Sequence, residues 1–549
     1  MLRIKGGIMI IQSIKTIPFD DQKPGTSGLR KRVTVFQQRH YLENFIQSVF
    51  DTVKGFQRKV LVLGGDGRFH NAKAIQTILK MAVANGVGKV MVGQNGILST
   101  PACSCVIRKY QTFGGFVLSA SHNPGGPQGD FGIKFNIENG GAAPERITDA
   151  IYAYSQLIKT YRIVDIPDID LSQLGTFQIG NMVVEVFDPI VDYAKQMASI
   201  FDFEAIRRLF SNGFRLRFDA MHAVCGPYAV RIIEEMLGAP NGTVIHEKPL
   251  PDFGGYHPDP NPVNAKALIE SVHNLDVDMA VATDGDGDRN MIIGQHIVVS
   301  PSDNLAILAA NATVIPEYRK GILGVARSMP TSAAVDRVAE TLGIPHYETP
   351  TGWKFFGKLL DSGKITLCGE ESYGAGSFHI REKDGIWAIL FWLNLLAKTG
   401  NSVDGIVRQH WKRYGRNYYA RHDYENIDRT RALALMETLC SQLKYLIGQE
   451  YRGYTIQKAD EFTYHDPVDQ SISQHQGIRI FFIDGSRIIF RLSGTGTIGA
   501  TLRVYFDRYD ANQLDVDIQG ALQDLIDIAE KVAKISEFTG MVRPTMIIQ

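Results

Sequence analysis

Short apolar runs and amphipathic segments alternate along most of the chain. Residues 59–63 (KVLVL) predict a buried strand, which leads into the polar turn 64–68 (GGDGR). Apolar residues then recur at helical spacing from position 75 to 83, and a further strand is predicted at 90–92. Strands separated by helices in this way are typical of a parallel sheet covered by helices. The pattern therefore predicts the α/β class.

The order of apolar run, polar glycine-rich loop and helix is shared by three successive units. Their further predicted strands lie at 214–219, 243–245, 277–282, 321–325 and 365–367. A chain of 549 residues is too long for a single core, so three or four domains are expected. We expect the domains to span 1–195, 196–301, 302–415 and 416–549.

The fourth domain has a different pattern. Two strands at 479–482 and 487–491 flank an Asp-Gly pair, which is a hairpin signal, and a long amphipathic helix is predicted at 518–533. A change of composition at 413–426 suggests a linker into this domain.

Composition excludes several classes of function. Basic and acidic residues balance at 58 each, so no charge excess favours nucleic acid or an acidic membrane surface. The apolar segment 386–397 is too short to span a bilayer and predicts a buried helix. Five scattered cysteines fit a reducing compartment, and we expect a cytoplasmic protein.

Ser121 follows a predicted strand that ends abruptly in the loop SASHNPGGPQGD. In open α/β sheets, ligands bind outside the carboxyl ends of the strands, and a hydroxyl placed there can act as a nucleophile. Serine and glycine also dominate ordinary turns. The loop alone leaves both interpretations open.

Asp284, Asp286 and Asp288 alternate with other residues in the segment TDGDGDR. In an extended loop, alternate side chains share a face, so these carboxylates can converge on one ion, and hard oxygen ligands suit Mg²⁺ or Ca²⁺. An EF-hand is excluded, because Arg289 and Gln295 stand where that loop needs Gly and Glu. A solvated acidic turn remains the alternative.

Two further loops carry groups that bind anions or hydroxyls. The loop LSGTGT, with Arg491 and Arg503 beside it, offers hydroxyls, backbone amides and guanidinium groups to an anion. It has neither the P-loop nor the dinucleotide-binding spacing of glycines. The segment GEES (369–372) suits sugar hydroxyls, although a helix N-cap with acidic residues in its first turn fits equally well. The basic residues at 30–32 suit either a solvated turn or a phosphate.

These motifs together resemble the α-D-phosphohexomutase superfamily, and most closely its phosphoglucomutase family. The matching segments occur in family order across nearly the whole chain: KPGTSGLRKRV, SASHNPGGPQGDFGIKFN, DGDGDR, TGWKFF, CGEESYGAGSFHIREKDG and RLSGTGTIGATLRVY. The resemblance implies four domains in a heart shape: three related mixed α/β domains and a smaller α+β C-terminal domain, around a central active-site cleft. It implies an isomerase that interconverts glucose 1-phosphate and glucose 6-phosphate through a phosphoserine enzyme and glucose 1,6-bisphosphate.

The resemblance also implies roles for individual residues. Ser121 would be the phosphorylated nucleophile and would hold one Mg²⁺ together with Asp284, Asp286 and Asp288. The groups that line the transfer site would be Arg30, His122, Lys134, Arg289 and Lys383. The sugar would be held by Thr351, Glu370 and Ser372, and the phosphate that is not transferred by Arg491, Ser493, Thr495 and Arg503. Which of His122, Lys134 and Lys383 takes a proton stays open.

Two other classes of function remain as rivals. A Mg²⁺-dependent phosphatase would use Ser121 without needing the sugar loop or the anion loop, and a structural relative would not need an intact Ser121 or the three aspartates. Sugar phosphates are the expected partners, with no nucleic acid or membrane, and a monomer or weak dimer is expected.

Overall fold

The computed structural model describes residues 2–4, 7–274, 276–493 and 499–549. The described chain forms three α/β units that share a sheet topology, followed by a fourth unit of a different kind. The mixed sheets confirm the predicted α/β class.

The first unit is built on a mixed sheet with the strand order β10-β11-β6-β5-β7-β8-β4. Its strands are β1 (Leu2–Ile4), β2 (Gly7–Met9), β3 (Ile11–Lys15), β4 (Leu29–Arg32), β5 (Val60–Gly65), β6 (Lys89–Ile97), β7 (Gly114–Leu118), β8 (Asp130–Ile137), β9 (Thr160–Val164), β10 (Gly175–Ile179) and β11 (Met182–Phe187). Its helices are α1 (Val33–Phe36), α2 (Tyr41–Thr52), α3 (Asn71–Asn85), α4 (Thr100–Tyr110), α5 (Glu145–Ser155) and α6 (Val191–Ile200).

The second unit has the sheet order β13-β12-β14-β15. Its elements are α7 (Phe203–Ser211), β12 (Leu216–Asp219), α8 (Cys225–Ala229) with the π-helix Val230–Met236, β13 (Val244–Ile245), the 3₁₀ turn Phe253–Gly255, α9 (Lys266–Asn274), β14 (Met279–Ala282) and β15 (Met291–Ile293).

The third unit repeats that order as β17-β16-β18-β19. Its elements are α10 (Pro301–Ala310), the 3₁₀ turns Ala312–Val314 and Pro316–Tyr318, β16 (Val325–Ser328), α11 (Ala334–Leu342), β17 (His346–Thr349), α12 (Trp353–Asp361), β18 (Leu367–Glu370), β19 (Gly374–Ser377), α13 (Gly385–Thr399) and α14 (Val403–Tyr414).

The fourth unit is an antiparallel sheet with helices, ordered β21-β22-β25-β26-β27-β20-β28. Its elements are β20 (Arg416–Ile427), α15 (Arg429–Leu446), β21 (Glu450–Tyr451), β22 (Tyr454–Glu461), β23 (Tyr464–His465), β24 (Ile472–Ser473), β25 (Ile478–Phe482), β26 (Arg487–Ser493), β27 (Ala500–Asp510), α16 (Ile518–Ala533), α17 (Ile535–Thr539) and β28 (Met546–Ile548). The predicted hairpin is confirmed, since β25 and β26 pair antiparallel.

Three details of the sequence prediction are wrong. The supposed linker at 413–426 instead contains the end of α14 and nearly all of β20, the longest strand of the fourth sheet. This segment is a strand because it pairs with β27 on one side and with β28 on the other. The strands predicted at 321–325 and 365–367 lie further along, at β16 and β18, since both runs begin in the loops before the sheet.

Helix α13 confirms the buried helix predicted at 386–397. The Asp384 carboxylate accepts a hydrogen bond from the Trp387 amide at 3.0 Å and so caps the helix, which Gly400 ends in a left-handed conformation. Every residue from Gly385 to Leu396 is buried, in a hydrophobic cluster that runs through the first three units. No helix in the described part of the chain is long and apolar enough to cross a membrane.

The repeated topology places the candidate loops at equivalent positions. In each of the first three units the central parallel strands are followed by an antiparallel strand: β7 by β8, β14 by β15 and β18 by β19. The serine loop follows β7, the three aspartates follow β14, and the GEES segment begins in β18. Three equivalent loops therefore supply the chemistry that the sequence indicated.

Candidate active site

Ser121 lies in the loop after β7 with an unusual backbone. Its φ is 51°, in the left-handed region, and the residue is only 2% exposed. The hydroxyl donates to Asp284 Oδ2 at 2.7 Å and lies 3.3 Å from His122 Nδ1. The structure thus brings together the serine and one of the aspartates that the sequence predicted as partners.

A buried ion pair holds the serine loop in place. Arg68 Nε lies 2.8 Å from Asp66 Oδ2, and both side chains are fully buried. Arg68 Nη2 donates to the Ser121 carbonyl at 2.6 Å. Ser119 Oγ donates to Asp66 at 2.6 Å and accepts from the Ser121 amide at 2.7 Å. Sequence reasoning noted the loop GGDGR without assigning it, although an Asp and an Arg directly after a buried strand were a usable signal.

The three aspartates form a compact group. One carboxylate oxygen of each lies within 4.8 Å of the others, and all three residues are buried. Asp284 Oδ1 accepts from the amides of Asp288 and Arg289. Within the described part of the chain, Asp286 Oδ1 and Asp288 Oδ1 have no hydrogen-bond partner. Buried carboxylate oxygens without a donor fit a hard divalent cation.

The charge balance within this group is uneven. Burial raises the pKa of Asp284 well above its ordinary value, and the neighbouring Asp288 and Asp286 add to the effect. Burial alone would raise the pKa of Asp286 too, but Lys134 at 2.6 Å and the Thr100 hydroxyl at 2.7 Å outweigh it and lower that pKa. A cation bound here would relieve the repulsion at Asp284.

Gly285 permits the close approach of the two loops. A Cβ atom at this position would lie 2.3 Å from the Ser121 carbonyl oxygen. No side chain fits in that space, so the aspartate loop needs glycine here to place Asp284 against the serine.

Cations surround the transfer site. Lys383 Nζ lies 3.2 Å from Glu370 Oε2 and 3.8 Å from Asp288 Oδ1. Arg289 Nη1 pairs with Asp259 at 2.6 Å. Burial lowers the pKa of His122 well below its ordinary value, and Arg289 and Arg30 lower it further. His122 is therefore neutral at physiological pH.

A central cavity of about 330 Å³ lies between the units. It is lined by these predicted residues: Arg30, Ser121, His122, Lys134, Asp288, Arg289, Thr351, Glu370, Ser372, Lys383 and Arg503. Asp284 and Asp286 lie just beneath its wall, where they contact Ser121 and Lys134. Thr495 lies outside the described residues.

The far end of the cavity differs from the expected arrangement. Arg491 does not line it but bonds the Tyr505 hydroxyl at 3.2 Å and faces Glu371 at 3.9 Å, while Ser493 lies in β26 and also does not line it. Arg503 does line it, 3.6 Å from Asp423. Arg421 also lines this end of the cavity, and its Nη2 donates to Asp423 at 2.9 Å. Sequence reasoning missed Arg421 because its segment was taken for a linker.

Glu382 is a second lining residue that the sequence did not reveal. Its Oε1 accepts from Asn136 at 2.9 Å. Burial raises the pKa of Glu382 to about 7, although Lys134 acts in the opposite direction. Glu382 lies next to Lys383 in the segment CGEESYGAGSFHIREKDG, and this position was the signal that could have identified it from the sequence.

Models of four protein domains match the chain in order. Phosphoglucomutase/phosphomannomutase α/β/α domain I matches residues 21–162, domain II 191–296 and domain III 301–414. The C-terminal domain of phosphoglucomutase-1 matches residues 416–545.

Whole proteins match over nearly the full length. A phosphoglucomutase of Rhizobium radiobacter is 59% identical over 541 residues, which cover 98% of this chain and 100% of the relative. Human phosphoglucomutase-1 is 52% identical, with 98% of this chain and 99% of the relative covered. The crystal structure of Paramecium parafusin, a phosphoglucomutase, superposes with a TM-score of 0.91 at 47% identity, covering 98% of this chain and 99% of that one. The chain belongs to the phosphoglucomutase/phosphomannomutase family.

Proposed function

We propose that this protein is a phosphoglucomutase that interconverts glucose 1-phosphate and glucose 6-phosphate through a phosphoserine at Ser121 and a glucose 1,6-bisphosphate intermediate. The observation that carries the proposal is the buried Ser121 hydroxyl, 2.7 Å from Asp284, at the wall of a cavity lined by all four units. The names of the full-length relatives support the choice of glucose phosphates over other sugars.

The three aspartates fit one Mg²⁺. Their carboxylates converge, and two of their oxygens lack a donor within the described chain. Asp284, Asp286 and Asp288 would hold the ion, with an oxygen on Ser121 completing the set. When bound, the ion would neutralise charge on the phosphate during transfer.

The chain's own residues carry out the transfer in two balanced steps. In the first step the P–Oγ bond of phosphorylated Ser121 breaks, the P–O6 bond to glucose 1-phosphate forms, and the O6 proton passes through a base to Oγ. After the bisphosphate turns over, the P–O1 bond breaks, the P–Oγ bond forms again, and the Oγ proton passes to O1, which releases glucose 6-phosphate. Arg30, Arg289 and Lys383 would stabilise the negative charge that spreads over the phosphoryl oxygens.

Among the candidate proton acceptors, we propose His122. Burial would lower the pKa of Lys134 and of Lys383, but Asp286 outweighs it at Lys134 and Asp288 with Glu370 at Lys383, so both pKa values are raised. Both lysines therefore stay protonated and act as positive charges. His122 is neutral and lies 3.3 Å from the Ser121 hydroxyl, within reach of its proton.

The sugar and its other phosphate would bind across the rest of the cavity. Glu370, Thr351 and Ser372 would accept or donate hydrogen bonds to the sugar hydroxyls. Arg503, together with Arg421, would bind the phosphate that is not transferred. Thr495 would complete that end, as would Arg491 and Ser493 once they turn toward the bound ligand. Because the bisphosphate turns over, this end must accept the phosphate on either O1 or O6.

The proposal also includes a monomeric or weakly dimeric state and a cytoplasmic location. It places the domain limits at 1–195, 196–301, 302–415 and 416–549. The matched domain models lie close to those limits, although domain II begins at residue 191 and domain III at residue 301, each slightly before the proposed limit. Five free cysteines, four of them buried, support a reducing compartment.

One assay tests the proposal. The protein is incubated with Mg²⁺, glucose 1-phosphate and a trace of glucose 1,6-bisphosphate, and glucose 6-phosphate and free phosphate are followed separately. We expect glucose 6-phosphate with negligible free phosphate. Free phosphate without isomerisation would favour a phosphatase, and no change in either would favour a structural role.

A further inference from the structure

The last strand of the chain pairs with the phosphate-binding end of the cavity. β28 runs antiparallel to β20, with Ile548 opposite Arg421 and Met546 opposite Asp423. The Thr545 amide and hydroxyl both donate to the Asp423 carbonyl at 2.8 Å. The backbone that carries Arg421 and Asp423 is therefore hydrogen-bonded on this side by the chain's own C-terminal segment.

The two faces of β28 have different surroundings. Side chains alternate along a strand, and residues paired across an antiparallel ladder share a face. Met546 and Ile548 thus lie on the face of Arg421 and Asp423, and Met546 lines the cavity. Ile547 faces the other way and is 44% exposed.

Ile548 is buried outside the fourth unit's own core. It is 4% exposed and belongs to a hydrophobic cluster formed mainly by the second unit. Met221, Met291 and Tyr373 are members of that cluster, whereas the core of the fourth unit is a separate one. Met291 begins the strand after the aspartate loop, and Tyr373 directly follows Ser372. Ile548, with Met546 packed against the same cluster, therefore connects the phosphate-binding end of the fourth unit to the body that carries the metal and sugar loops.

We propose that Ile548 is a positioning residue that holds the Arg421–Asp423–Arg503 group at its working distance from Ser121. The inference rests on the proposed function, since it concerns how the distal phosphate is held. With Ile548 seated among Met221 and Tyr373, β28 holds the Arg421–Asp423 part of β20 against the second unit. Without that anchor this part of β20 shifts relative to the second unit and the bound phosphate loses contacts, while other contacts still join the fourth unit to the third. The match to the phosphoglucomutase-1 C-terminal domain extends to residue 545 and so does not include β28.

The test compares two adjacent isoleucines of one strand. Ile548→Ser removes the buried anchor, and Ile547→Ser makes the same chemical change on the exposed face. We expect Ile548→Ser to raise KM for glucose 1-phosphate about tenfold with kcat changed by less than about threefold, because only a fraction of the molecules then presents the complete site. Ile547→Ser should leave both values unchanged. Ile548→Leu keeps the volume of the buried side chain, so its KM should stay close to that of the wild type.

Further measurements separate positioning from general stability. Thermal melting shows whether Ile548→Ser is folded at the assay temperature, and if it is not, Ile548→Val provides a smaller cavity with an intermediate rise in KM. A folded Ile548→Ser with the wild-type KM, or an equal rise in Ile547→Ser, would overturn the proposal. Calorimetric binding of glucose 1-phosphate gives the same comparison without turnover. If the wild-type protein binds glucose 1-phosphate but does not isomerise it, that result contradicts the proposed function and leaves the role of Ile548 in binding to be decided by the calorimetric comparison.

Discussion

The serine loop at one end of the central cavity is held by buried partners more closely than Arg503 is at the other end. At the transfer end, Ser121, Asp286 and Arg68 each make hydrogen bonds of 2.6–2.7 Å to buried partners. At the distal end, Arg503 lies 3.6 Å from Asp423, and its Nε has no hydrogen-bond partner among the described residues. The Arg503 side chain is 25% exposed.

This difference follows from what each end must do. Phosphoryl transfer depends on groups held in fixed geometry before the substrate arrives, and buried, mutually bonded side chains provide it. The distal end must accept a phosphate from either end of the sugar, so its donors are better left for the ligand.

Ser121→Ala removes the nucleophile and should have the largest effect. We expect kcat to fall by more than about 10⁴-fold, because the substitution removes the hydroxyl that carries the phosphoryl group. Glucose 1-phosphate should still bind by calorimetry, since the distal end is untouched. Ser119→Ala, two residues earlier on the loop, keeps the nucleophile and should lose far less. Comparable turnover in Ser121→Ala would remove the serine from the mechanism.

Arg68→Met breaks the buried pair beneath the serine loop. Asp66 then becomes a buried unpaired charge, which should lower the free energy of unfolding by about 3–5 kcal/mol. A serine displaced by about 1 Å should lower kcat by about 10²-fold. Urea unfolding and steady-state kinetics measure the two effects, with the exposed Arg39→Met as control. Loss of stability with kcat intact would show that the pair supports the fold and not the position of Ser121.

Arg503→Ala tests the distal end. Charge-assisted hydrogen bonds to a phosphate contribute about 1.5–3 kcal/mol, so KM for glucose 1-phosphate should rise about 10- to 100-fold. The melting temperature should change little, because Arg503 is only loosely paired in the free protein. Arg491→Ala is the informative comparison, since Arg491 bonds Tyr505 outside the cavity wall. An equal effect of both substitutions would mean that Arg491 turns into the cavity when substrate binds.

The sequence was most informative where chemistry depends on local spacing. DGDGDR and the Ser121 loop each place their groups within a few residues after a strand, and the alternation of strands and helices was enough to predict the three α/β units. Arg421 and Glu382 could not be assigned in this way. Arg421 reaches the cavity because β20 pairs with β27 and β28 across more than eighty residues of sequence separation, and local pattern carries no such information. The same long-range pairing turned a supposed linker into a central strand.

Glu382→Gln should have the smallest effect and tests the region between the two ends. Burial raises the pKa of Glu382 to about 7 in the folded protein, against an ordinary value of 4.5. Between these values the native state holds a proton that the unfolded state releases, so stability falls as pH rises through this window. Between about pH 6 and pH 7 the loss of unfolding free energy attributable to this one group is roughly 1 kcal/mol.

Glutamine cannot titrate, so the Glu382→Gln variant should lack that part of the pH dependence while keeping an acceptor for Asn136. Urea unfolding of both proteins across this range measures the difference in slope. If the unfolding free energies of the two proteins change with pH in parallel, Glu382 is already ionised in the folded protein and pairs with Lys134. The charged groups at the transfer end would then include Glu382 as well as the three aspartates and their direct partners.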